Sequence, residues 1–76
     1  MENVPNGNRP VERLIRLGEV KHLTGLSTAT LYRKMSAGEF PRPVRLGVVA
    51  RAWPLSEVQD WIVQRIAVRE HTNTAV

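Results

Sequence analysis

The chain has 76 residues, with 11 Lys plus Arg against 7 Asp plus Glu and a formal net charge of +4. A chain this short buries only about 60% of the surface it exposes when unfolded, so few residues are left to wall a deep catalytic pocket, and a binding module is the expectation. There is no cysteine, which excludes disulfides, thiolate metal sites and a cysteine nucleophile and argues for a cytoplasmic protein.

Residues 1–12, with Pro5, Gly7 and Pro10 among Asn and Glu, read as a disordered leader. They lack the apolar core of a signal peptide, and no apolar run anywhere approaches the roughly 18 residues of a membrane span. The folded domain is expected over residues 13–70, with 71–76 as a flexible tail. Arg13 to Leu17 is short and apolar-rich, either a brief strand or an extended lead-in. Leu17, Val20 and Leu23 then recur at helical spacing, and Gly25 is the usual left-handed stop.

Ser27 is suited to cap a second helix, its hydroxyl accepting from the amide of Thr30. In that helix Leu31 and Met35 share one side and Gly38 ends it. At 100° per residue, Thr28, Ala29, Tyr32, Arg33 and Ser36 share a different, mostly short-chained polar arc. After Phe40, Pro41 and Pro43 break regular structure, Val44 to Leu46 and Ala50 to Trp53 read as a two-stranded wing. A final helix starts near Pro54, with Leu55, Val58, Ile62 and Ile66 along one face and Trp61 beside it. The expected core is Leu17, Val20, Leu23, Leu26, Leu31, Met35, Phe40, Leu46, Trp53, Val58, Trp61 and Ile62. The fold class is therefore mainly α with a small β-wing: three helices plus a two-stranded hairpin, a winged helix-turn-helix.

Charge follows this layout. From Arg33 to Arg51 there are five bases and one acid, so the whole excess lies in the middle of the chain. A helix-turn-helix places its second helix in the major groove, where each base pair shows a distinct pattern of donors and acceptors. Thr28 and Ala29 sit where side chains meet base edges. Arg33 can reach a guanine edge or a phosphate, and Tyr32 a phosphate through its hydroxyl. Ser27 serves first as the cap and can also meet phosphate with the free amides at the helix start. Ser36 lies on the same arc, and Lys34 lies off it. Arg42, Arg45 and Arg51 surround the wing, where bases touch phosphates or enter the minor groove. The recognition helix is thus set at residues 27–37 and the wing at 42–53.

Catalytic and metal constellations fail. His22 and His71 lie far apart in sequence, and neither has a ligand partner at useful spacing. Glu57 and Asp60 fall in the first turns of the last helix, where acids suit the helix dipole. No base follows Ser36 or Ser56 closely, and no glycine-rich phosphate loop exists. The expectation is a protein that is not an enzyme, needs no cofactor or metal, binds double-stranded DNA and has no membrane partner. The small footprint of one such module, about 600–1,000 Å², implies help from a second copy on repeated sites or from a site-specific integrase. The competing reading is a helical protein-interaction adaptor without DNA binding, which would use Gln59, Val63 and Ala67 of the last helix.

Arg16-Leu17-Gly18-Glu19-Val20, Thr24-Gly25-Leu26-Ser27, Thr30-Leu31-Tyr32-Arg33 and the run from Gly38 to Gly47 together resemble the AlpA family of phage-type regulators. Trp53, Ser56-Glu57-Val58 and Trp61-Ile62 extend the resemblance, which covers residues 13–69. It implies a winged helix-turn-helix of the MerR-like excisionase kind. It further implies a role as transcriptional regulator, or as a directionality factor that binds and bends DNA beside an integrase attachment site, in a prophage or integrative element. In one respect the chain departs from that pattern: the family often places a base two positions after the wing glycine, where this chain has Val49, and its base comes at Arg51.

Overall fold

A computed structural model describes residues 12–72, with side chains described through residue 69. Most of the expected leader and tail, residues 1–11 and 73–76, lies outside the described residues. The elements are β1 (Leu14–Ile15), α1 (Leu17–Thr24), α2 (Thr28–Ser36), β2 (Val44–Arg45), β3 (Arg51–Pro54) and α3 (Leu55–Thr72). This is the expected mainly α fold with a β-wing.

The turn between α1 and α2 is built from local chemistry. Gly25 adopts φ 75°, and its amide donates to the carbonyl of Lys21 at 2.8 Å. The Thr24 hydroxyl donates back to the Val20 carbonyl at 2.8 Å and accepts from the Leu26 amide at 3.2 Å. Ser27 caps α2 as expected, accepting from the Thr30 amide at 3.2 Å. The two helices are thus joined by three residues whose polar groups are largely engaged, which fixes the angle of α2 against α1. At the other end of α2, Gly38 takes φ 76° and turns the chain toward the wing.

The expected two-stranded hairpin forms from β2 and β3, and a third strand joins it. The sheet order is β1-β3-β2, both pairs antiparallel, with Ile15 opposite Trp53 and Arg45 opposite Arg51. Within the Arg13–Leu17 stretch, Leu14 and Ile15 therefore form a strand that joins the wing sheet. Its gain is the burial of Ile15, which is 2% exposed beside Trp53. The lead-in also caps α3. The Leu55 amide donates to the Arg13 carbonyl at 2.7 Å, and the Glu12 carboxylate accepts from the Ser56 hydroxyl at 2.8 Å and the Ser56 amide at 3.3 Å. Helix starts carry unpaired amides and a positive partial charge, so a carboxylate there is stabilising. Glu12, grouped with the leader in the sequence reading, is part of this cap.

Ile15, Val20, Leu31, Met35, Phe40, Trp53 and Val58 form one buried cluster, with Leu17, Leu26, Leu55, Trp61 and Ile62 partly buried around it. Two expected core members are outside it. Leu23, at the end of α1, and Leu46, beyond the last paired residues of the wing, are both exposed. Ile15 of β1 joins the cluster instead, and Ala52 of the central strand β3 is also buried. Two indoles then hold the segment between α2 and β2. Trp53 donates from Nε1 to the Pro41 carbonyl at 3.0 Å and Trp61 to the Glu39 carbonyl at 2.8 Å. Phe40, between those two carbonyls, inserts into the core and meets the Trp61 ring edge-on at 4.9 Å.

Two measurements check this account. At Gly25 an added Cβ meets no atom within 4 Å, so the cost of Gly25→Ala is conformational alone, about 1–2 kcal/mol for an L-residue in the left-handed region. Gly18, inside α1, also has open space at its Cβ and no positive φ, so Gly18→Ala is expected to stabilise by up to about 1 kcal/mol. Urea titrations of the two variants should move in opposite directions; a shared direction rules the assignment out. The bonds from Ser56 also hold the Glu12 carboxyl below its ordinary pKa. A carboxyl lowered on folding contributes fully above its unfolded pKa, and that contribution is lost as pH falls through the lowered value. The wild type should therefore exceed Glu12→Gln in stability at neutral pH and converge with it in acid; a gap that does not change with pH excludes the cap.

Candidate nucleic-acid interface

Helix α2 has the two faces that a groove-reading helix needs. Leu31 and Met35 are buried, whereas Ala29, Tyr32, Arg33 and Ser36 are exposed and Thr28 is half-buried. The polar arc inferred from the sequence is thus the open side of α2. Tyr32 is 42% exposed, so its ring is anchored at one edge and its remainder is accessible.

Tyr32 and Ser36 line a cleft of about 340 Å³ together with Arg42, Pro43 and Arg51 of the wing. A second cleft, of about 290 Å³, shares Tyr32 and Arg51 and is closed by Arg16, Leu17, Gly18, Val49 and Trp53. The two shared walls make one furrow, running from the open face of α2 along the wing to the start of α1. Three of its lining residues are arginines and none is acidic. The single acid of the basic middle stretch, Glu39, lies elsewhere: it sits 4.0 Å from Lys34 and borders a depression with Trp61 and Arg65. On α2, Lys34 is turned about 160° from both Tyr32 and Ser36 at 100° per residue. The electrostatic result is a furrow of one sign, with the compensating acid on the far flank.

Four of the nine candidate residues, Tyr32, Ser36, Arg42 and Arg51, thus share one surface feature. Arg45 joins them through the sheet. It stands directly opposite Arg51, and cross-strand partners project from the same face. Both are exposed. Like charges directly opposite each other are unfavourable in the free sheet, and an anion between them would reverse that sign. Thr28, Ala29 and Arg33 lie on the same helical arc but line neither cleft.

Arg33 and Ser27 are tied to each other through Thr30. The Arg33 guanidinium donates to the Thr30 hydroxyl oxygen at 3.4 Å, and the Ser27 hydroxyl donates to the same oxygen at 3.0 Å. The Arg33 side chain therefore lies back along the helix toward its N-terminus, the end that reads bases in this motif. The Ser27 hydroxyl has its proton engaged and its oxygen capping, so the sequence expectation that it serves first as a cap fits its contacts.

Two residues outside the nine candidates, Arg16 and Thr30, also stand at this surface. Arg16, the residue before α1, has an extended backbone and no side-chain capping bond, and it borders the furrow. Its signal was a base at the entry to the first helix, which was grouped with the lead-in. Thr30 was read only as the donor of a capping amide, although its hydroxyl aligns Arg33.

Among the described residues no helix is long and apolar enough to cross a membrane. Comparison with known proteins gives two relatives. Over 59 residues the chain is 49% identical to the uncharacterized protein ORF88 of Enterobacteria phage P4, covering 78% of this chain and 67% of that protein. Over 64 residues it is 33% identical to the DNA-binding transcriptional activator AlpA of Escherichia coli strain K12, covering 76% of this chain and 91% of the relative. A family model described as prophage CP4-57 regulatory protein (AlpA) matches residues 13–66, which span both helices, the wing and most of α3. The chain belongs to the AlpA family of phage regulatory proteins.

Proposed function

We infer that this protein binds double-stranded DNA in a sequence-specific manner and regulates transcription in a phage or integrative element. The observation that carries the reading is the furrow that joins Tyr32 and Ser36 of α2 to Arg42 and Arg51 of the wing. The E. coli relative, named a DNA-binding transcriptional activator, supports it. In this reading α2 lies in the major groove, with Thr28 and Ala29 at base edges and Arg33 reaching a guanine edge or a phosphate. Tyr32, Ser36 and the cap at Ser27 face the backbone. Arg42, Arg45 and Arg51 hold the flanking phosphates or the minor groove. Excision of an integrated element by a directionality factor needs the same grip, and the relative's name favours the regulator. A second copy on repeated sites, or an integrase, would add the contacts that one small module lacks.

Thr and Ala are permissive readers, since a hydroxyl pairs either way and a methyl meets only a thymine methyl. Much of the affinity is therefore electrostatic. With about four phosphates neutralised, the log–log slope of affinity against salt should be near −3.6, as read by fluorescence anisotropy over a salt series. A salt-insensitive complex would refute the reading. Arg33→Ala should cost about 1–3 kcal/mol and relax preference at one base position. Arg42→Ala and Arg51→Ala should instead weaken all sequences alike and reduce the slope by about one each. If Arg33→Ala leaves affinity and preference unchanged, that residue is no reader.

A further inference from the structure

The wing ends in the most exposed large apolar residues among those described. Val48 is 88% and Val49 is 85% exposed, against 61% for Val63, the next. Neighbouring β-branched residues in water are an unfavourable way to finish a turn, which ordinarily takes Gly, Asn or Asp. The stem below them is firmly held. The Leu46 amide donates to the Ala50 carbonyl at 2.8 Å across the turn, and Ala52 and Trp53 are buried just beneath. The apex is also turned toward the furrow, since Val49 borders it with Tyr32 and Arg51.

We propose that Val48 and Val49 are an apolar wedge, which enters the minor groove beside the recognition site and parts one base step, bending the DNA. The proposal rests on the DNA-binding reading above and adds a ligand for the wing tip. Groove dimensions carry the argument. The minor groove is about 6 Å wide and cannot take a two-stranded ribbon with its side chains, whereas it can take the apex of one turn. A minor groove is walled by phosphates on both sides. The wing matches this profile, with an apolar apex and one arginine on each strand of the stem, Arg45 and Arg51. Apolar side chains inserted between base steps unstack them and kink the duplex toward the major groove, where α2 would lie. The ligand is therefore a deformable step, TA or CA/TG, at a fixed distance from the bases that α2 reads.

The test uses the full chain and a duplex that it has enriched from a random-sequence library. End-to-end energy transfer reports bending, and 2-aminopurine at the step under the wing reports unstacking. The double variant Val48→Ser, Val49→Ser should fold normally, because both positions lie almost wholly in solvent. The wild type should bend the duplex, raise 2-aminopurine emission and prefer a TA or CA step to an A-tract by about tenfold. The variant should keep the salt slope, because no charge is removed, and lose the bend, the emission and the step preference. If the variant bends DNA as the wild type does, the wedge is overturned and DNA binding stands. Loss of cooperativity between copies with bending intact overturns it in favour of a protein contact at the tip. If the wild type binds no duplex even at low salt, both readings fall together.

Discussion

The structure depends on how the indole of Trp53 is held. The side chain is 1% exposed, and its N–H donates to the Pro41 carbonyl. A buried indole N–H without a partner is costly, so the ring and the 39–41 segment fix each other. Trp53 lies in β3, the central strand, which pairs with β1 on one side and β2 on the other and runs directly into α3. One side chain therefore ties together the lead-in, the wing, the end of the α2–β2 segment and the start of the last helix. It also forms part of the furrow wall, beside Arg51 and Tyr32. The surface that would meet DNA is set by the same residue that closes the core.

How much of this could be read from sequence depended on the span of each interaction. The α1–turn–α2 unit was legible because its determinants are local: the left-handed Gly25, the Ser27 hydroxyl on the amide three residues on, and the apolar pair Leu31 and Met35. The final helix was legible for the same reason through Val58, Trp61 and Ile62. The third strand was legible only as one of two alternatives, because Leu14 and Ile15 become a strand only by pairing with residues far along the chain. The Glu12–Ser56 cap joins residues 44 apart, and no local pattern announces it. Leu23 and Leu46 were misplaced because periodicity gives a direction from the helix or strand axis without saying whether another element arrives there. The open arc of α2 was legible from spacing. Its juxtaposition with Arg42 and Arg51 depended on the path between them, which the two tryptophans fix from a distance.

Stiffness and charge are divided between the parts. Helix α2 is braced by buried Leu31 and Met35, and in the proposed reading Arg33, held back at the Thr30 hydroxyl, would lose less side-chain freedom on binding. The wing carries charge in a less settled form. Two exposed arginines face each other across a short strand pair, and two valines project beyond them, none favourable in the free protein. Such local conflict between sequence and stability is expected where function imposes it.

That conflict has a thermodynamic consequence. Repulsion between Arg45 and Arg51 raises the energy of the free wing but not that of a complex in which phosphate lies near both. In the proposed complex that repulsion would be relieved, which would add to the preference for a polyanion over water. The same holds for the valines, whose contact with solvent is relieved only where an apolar surface is offered. A hydrophilic turn would make the free protein more soluble and a glutamate at position 45 would make its sheet more stable, yet both would remove a term that favours the bound state. The core around Trp53 holds β3, the central strand, beneath these residues, so the wing can stay folded while it carries them.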